Sequence, residues 1–183
     1  AQLRATRQTS NEGMRHRGYI LNNLLADLRQ TTWPDRSPLS EVILSYMNFE
    51  FAAEAQGMFE PLRFSKHASK TDISIFASDT GANIGIALEY YADLFSEADM
   101  QRMASDYVRI LELMTTSPAD EPLHFEPSPL PVAEVAGGAA SAAPRASRAI
   151  CETVTPAGLR QTVTALASQK GASPAAVLLA VFA

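Results

Sequence analysis

Ile84, Ile86, Leu88 and Tyr90 alternate with Asn83, Gly85, Ala87 and Glu89, a period of two that predicts a strand with one apolar face over residues 83–91. A second strand is predicted over 72–79. Asp79, Thr80 and Gly81 supply the turn between them, the glycine permitting a positive φ. The period then changes. Met100, Met103, Tyr107, Ile110, Leu111 and Met114 recur at helical spacing and predict an amphipathic helix whose methionines belong to the core. Ser96 is placed to cap it, with Asp99 three positions later completing a capping box.

Upstream, Ile20, Leu21, Leu24, Leu25 and Leu28 repeat at helical spacing, which predicts one helix over residues 12–30 ended by Thr31, Thr32 and Pro34. WPDRSP reads as a turn segment. Residues 41–51, rich in Val, Ile, Tyr and Phe, predict a strand. Its apolar residues fall on both faces, as in a strand buried between layers. Residues 52–70 read as a loop with a short extended piece near Leu62 and Phe64.

After Thr115 the periodicity stops, and residues 126–148, rich in Pro, Ala, Gly and Ser, read as a mobile, protease-sensitive linker with Arg145 and Arg148 as cleavage points. Order resumes with Leu159, Val163, Leu166 and Ala167 on one helical face ending at Gly171. A second helix follows, with Ser173 as cap and Pro174 at its first position.

The 183 residues are 46% hydrophobic and 19% charged, the balance of a soluble globular protein. The net charge of −5, with both signs interspersed along the chain, disfavours a nucleic-acid partner. The run AAVLLAVFA is too short for a membrane span, which takes about 20 residues, and reads as a buried helix. No secretory signal pattern opens the sequence. The absence of a starting Met and the apolar end suggest a piece of a longer chain.

Candidate chemistry is sparse. Cys151 is the single cysteine and reads as an ordinary thiol. His16 in RHRG and His67 in SKHASK read as solvated, and His124 in EPLHFEP as part of a connector. No Gly-x-Ser-x-Gly elbow, phosphate-binding glycine loop or metal-ligand spacing of Cys and His occurs. Glu89 and Asp93 either face solvent, anchor the turn from strand to helix, or form an acid/base pair.

The order SPLSEVILSYMNF, KTDIS, LEYYADLF and then the helix of Met100 to Met114 resembles the C-terminal lobe of condensation domains from nonribosomal peptide synthetases. The resemblance covers about the first 125 residues. The tail GLRQTVTALASQKGASPAAVLLAVFA resembles paired helices of the N-terminal lobe of the same family. The implied organisation is a C-terminal lobe over residues 1–125, a linker over 126–148 and a helical fragment of an N-terminal lobe over 149–183. The implied fold is α/β, similar to chloramphenicol acetyltransferase, a mixed sheet with packed helices.

The implied activity is amide formation between carrier-tethered aminoacyl or peptidyl thioesters in the cytoplasm. Phosphopantetheine would ride on a partner carrier protein, and the neighbours would be carrier, adenylation or condensation domains. The family's His-His-x-x-x-Asp-Gly motif begins at none of the three histidines, so no catalytic residue is assigned. By resemblance, Asn48 and Asp72 border the substrate tunnel. For Asn48 the bland reading is a turn anchor at a strand end. For Asp72 it is a bond to backbone or to a neighbouring Lys or Arg.

Overall fold

The structure, a computed structural model, describes residues 2–29, 37, 39–47, 71–79, 81–116, 125–126 and 147–182. Helices α1 (Gln2–Arg15) and α2 (Leu21–Asp27) come first. They are followed by β1 (Val42–Met47), β2 (Ile73–Asp79), β3 (Ile84–Tyr91) and α3 (Glu97–Thr116). The chain then adds β4 (Arg148–Val154), α4 (Leu159–Gln169), α5 (Pro174–Leu179) and a 3-10 turn, Ala180–Phe182. Asn48, His67, His124, the loop expected over 52–70 and most of the linker lie outside the described residues.

The four strands form one mixed sheet in the order β1-β2-β3-β4. β1 runs parallel to β2, while β2–β3 and β3–β4 are antiparallel. The expected hairpin is present. Gly81 adopts φ +84, and its N–H donates to Asp79 Oδ1 at 2.8 Å. Period-two alternation places Ile84, Ile86, Leu88 and Tyr90 in the core.

Helix α3 covers that face. Its entry is the expected capping box: the Asp99 N–H donates to Ser96 Oγ at 3.2 Å, and the Ser96 N–H donates to Asp99 Oδ2 at 3.3 Å. The buried stripe is Met100, Ala104, Tyr107, Leu111 and Met114, while Met103 and Ile110 flank it half-buried. Where the sequence expects Met103 and Ile110 in the stripe, the buried face instead takes the small Ala104, alongside the expected Leu111.

Two expectations are corrected. The single helix over 12–30 is two helices, separated by a turn in which the Tyr19 N–H donates to the His16 carbonyl at 2.9 Å. The apolar repeat begins only at Ile20, after that turn, and α1 lies ahead of it with few apolar residues to announce it. Leu25 is buried, but Ile20, Leu21 and Leu28 are exposed.

Strand β1 is also not buried between layers. Among the described residues it lies at the sheet edge and pairs with β2 alone, and Val42, Ile43 and Met47 are exposed.

The segment after the linker holds an element the sequence pattern did not announce. Arg148, placed at the end of the linker, is the first residue of β4. This strand pairs with β3 along its length, from Tyr91↔Arg148 to Gly85↔Val154. Helices α4 and α5 follow as expected, with Ser173 Oγ accepting from the Ala176 N–H at 3.2 Å and Gly171 at φ +61. Leu159, Val163, Ala167, Val177 and Leu178 join the same core as β3 and α3. Tyr107 Oη donates to the Leu178 carbonyl at 2.9 Å, tying α3 to α5.

Candidate functional site

Polar groups converge where β1 and β2 begin and β3 ends. Asp72 sits just before β2, half-buried. Its N–H donates to the Glu41 carbonyl at 2.8 Å, and its own carbonyl accepts from the Tyr91 N–H at 3.3 Å. The backbone of Asp72 is therefore held by both neighbouring strands. Thr71 and Ser74 share a buried hydroxyl–hydroxyl hydrogen bond of 2.7 Å beside it.

On the next strands Glu89 Oε1 accepts from Arg148 Nη1 at 2.7 Å. The Arg148 side chain is only 3% exposed, and its guanidinium carbon lies 5.8 Å from the centre of the Tyr91 ring. Among the described residues Arg148 Nε and Nη2 are buried without a hydrogen-bond partner. Asp93 Oδ1 accepts from Ser147 Oγ at 2.6 Å, closing the same end of the sheet. Glu89 and Asp93 are thus both engaged with the segment after the linker, which supports anchoring over a shared acid/base role. This ionic clasp was not legible in the sequence, because its members are joined only through β3–β4 pairing.

At the opposite end of the hairpin, Arg160 Nε donates to Asp79 Oδ1 at 2.5 Å. The Arg160 hydrogen bond holds the Asp79 carboxyl below the usual carboxylate range, against burial, with help from the Gly81 N–H. A depressed carboxyl pKa gives stability that is present above the unfolded value and lost as pH falls through the folded one. Arg160→Gln should therefore remove roughly 1 kcal/mol near neutral pH, since both groups are partly exposed, and little in acid below both pKa values. Urea melts of the two proteins at neutral and acid pH check this; a pH-independent difference would contradict it.

No side chain described here is an activated nucleophile. Burial pushes the Cys151 thiol up, reinforced by Glu97 and Glu152, away from thiolate chemistry. Burial likewise pushes Tyr107 upward. His16 is exposed in the turn after α1. Among the described residues no cluster of three or more His, Cys, Asp and Glu side chains could hold a metal ion, and no helix is long and apolar enough to cross a membrane.

Residues 1–124 match the family model of the condensation domain. The chain belongs to the condensation-domain family, as the ordered motifs from Ser37 to Met114 suggested.

It is 31% identical over 112 residues to bacitracin synthase 3 of Bacillus licheniformis, covering 60% of this chain and 2% of that protein. It is 26% identical over 118 residues to surfactin synthase subunit 2 of Bacillus subtilis (strain 168), covering 63% of this chain and 3% of that protein. With tyrocidine synthase 2 of Brevibacillus parabrevis it shares 25% identity over 123 residues, covering 65% of this chain and 3% of that protein. The chain thus spans only a few hundredths of the length of these relatives. No solved structure matches it.

Proposed function

We propose that residues 1–124 serve as the C-terminal lobe of a condensation domain within a nonribosomal peptide synthetase. The lobe contributes to amide formation between carrier-tethered aminoacyl or peptidyl thioesters. The observation that carries this reading is the family match over residues 1–124, together with relatives named bacitracin synthase 3 and surfactin synthase subunit 2. The mixed sheet of β1, β2 and β3 with α3 packed on it, completed by β4 from beyond residue 124, is consistent with a lobe similar to chloramphenicol acetyltransferase. Asn48 and Asp72 are the candidate tunnel residues, and the half-buried Asp72 at the sheet end is compatible with a tunnel wall. Phosphopantetheine enters as part of the substrate, carried by a partner carrier protein in the cytoplasm.

A second reading has its own support. The His-His-x-x-x-Asp-Gly motif is missing from these 183 residues, which favours a platform that docks carrier or adenylation neighbours without performing chemistry. A lobe of a stand-alone acyltransferase of the same fold is the remaining alternative.

Both main readings expect the isolated chain, given two loaded carrier proteins, to yield no dipeptide above background. Product would overturn both and direct attention to His16, His67 and His124. The two part when residues 1–124 replace the matching segment of a bacitracin synthase 3 condensation domain. A folded chimera that still forms dipeptide supports the catalytic lobe. A folded chimera that binds carrier but makes none supports the platform.

A further inference from the structure

A second feature lies away from the sheet end, along α1. Arg4, Arg7 and Arg15 line a cleft of about 590 Å³ whose other wall carries Lys170, at the end of α4. Arg4, Arg7 and Arg15 are separated by three and eight residues, close to one and two helical turns, so they project toward one side of α1. The fourth cation is brought in by tertiary structure, because α1 packs against α5 and the 3-10 turn. Gly171 makes the approach possible: a Cβ there would meet Arg7 Nη1 at 3.2 Å, so the guanidinium lies against the turn following α4.

Among the described residues none of these four cations forms an ion pair. Glu12, the carboxylate on the same wall, accepts a hydrogen bond from Gln8 Nε2 at 2.9 Å. Arg15 occupies the last turn of α1, where a cation is favoured by the helix end. Lys170, at the C-terminal end of α4, is favoured in the same way, whereas Arg4 and Arg7 have no such compensation. Like charges three residues apart on a helix oppose each other, and Lys170 adds to the same field. A chain whose net charge is −5 has thus gathered into one concave place four cations that form no ion pair among the described residues.

We propose that this cleft binds a small molecule bearing two or more linked phosphates. Guanidinium groups match phosphate oxygens with paired N–H donors, and a compact polyanion relieves the repulsion among several cations at once. The cleft volume falls in the range of about 300–1,000 Å³ typical of small-ligand sites. An extended acidic protein surface would meet the rims of a concave wall rather than the volume onto which the cations converge. The proposal does not rest on the condensation reading, since the cleft uses neither Asp72 nor the Glu89–Arg148 clasp.

The test is calorimetric titration of the full chain at low ionic strength with inorganic pyrophosphate and tripolyphosphate, and with a hexaglutamate peptide as the acidic-protein arm. Saturable phosphate binding is expected, weakening by at least about tenfold in the Arg4→Gln/Arg7→Gln double variant and also in Lys170→Gln on the opposite wall. Glutamine keeps nearly the helix propensity of arginine, so far-UV spectra should be unchanged. If the double variant fails to fold, Lys170→Gln alone decides. Arg109→Gln, outside the cleft, should bind like the parent. Raising the salt should weaken binding, because the site is open to solvent. Absence of saturation, equal loss in Arg109→Gln, unchanged binding in the cleft variants, or hexaglutamate binding as tightly as tripolyphosphate would each overturn the proposal.

Discussion

Ile86→Ala should destabilise the protein by about 2–5 kcal/mol, the usual range for truncating a fully buried aliphatic side chain. Ile86 is 2% exposed and belongs to the core that β3 shares with α3 and the post-linker helices. The matched control is Ile150→Ala on the neighbouring strand. Ile150 pairs with Glu89, on the face of the sheet away from α3, and is 50% exposed. The same atoms removed there should cost less than about 1 kcal/mol, since little apolar area returns to water and no cavity forms. Asn83 is a poorer control, because it has an interaction partner of its own. Urea melts of both variants measure the difference. Equal, small losses would mean that the inner face of β3 is not the packed one.

The parts of the fold that were legible in the sequence carry their information locally. The β2–β3 hairpin announces itself because one face of β3 is apolar and Asp79 and Gly81 supply the turn. Helix α3 does so through Ser96, Asp99 and a stripe over about four turns, and α5 through Ser173 and Pro174. β4 is different. Its buried face offers Ala149, Cys151 and Thr153, while apolar Ile150 and Val154 lie on the other face, both exposed. Alternation therefore gives no clear strand signal, and what makes it a strand is the open edge of β3, far away in sequence.

The candidate site divides in the same way. Asp72 was singled out only through the family motif KTDIS, and its position between Glu41 and Tyr91 depends on the pairing of β1, β2 and β3. The Glu89–Arg148 pair had no sequence signal, because neither residue marks the other until β4 docks. The cationic cleft was not legible: the sequence did not announce α1, which sets Arg4, Arg7 and Arg15 along one helix, and Lys170 joins them only through α5 packing on α1.

Ending the chain before Ser147 should abolish cooperative folding. Such a truncation removes β4 and leaves the edge of β3 bare. It takes Leu159, Val163, Val177 and Leu178 out of the core, with Cys151 and Ala167. Burial of those four larger side chains is worth roughly 6–12 kcal/mol as an upper figure. That is comparable to the whole stability of an ordinary domain, about 5–15 kcal/mol. The loss also orphans the Ile84 N–H, which donates to Thr155 Oγ1 at 3.0 Å, and the Tyr107 hydroxyl at Leu178. A cut is expected to behave differently from a deletion. Trypsin should act at Arg145, in the segment whose composition offers little apolar surface to bury, and spare Arg148, whose side chain is held within β4. The two pieces should then remain in one peak on gel filtration, because strand pairing, the Arg160–Asp79 and Arg148–Glu89 ion pairs and the shared core join them without the linker. They should separate only in denaturant. A truncated chain that still melts cooperatively, within about 2 kcal/mol of the parent, would show that the post-linker segment is an appendage rather than part of the lobe's core.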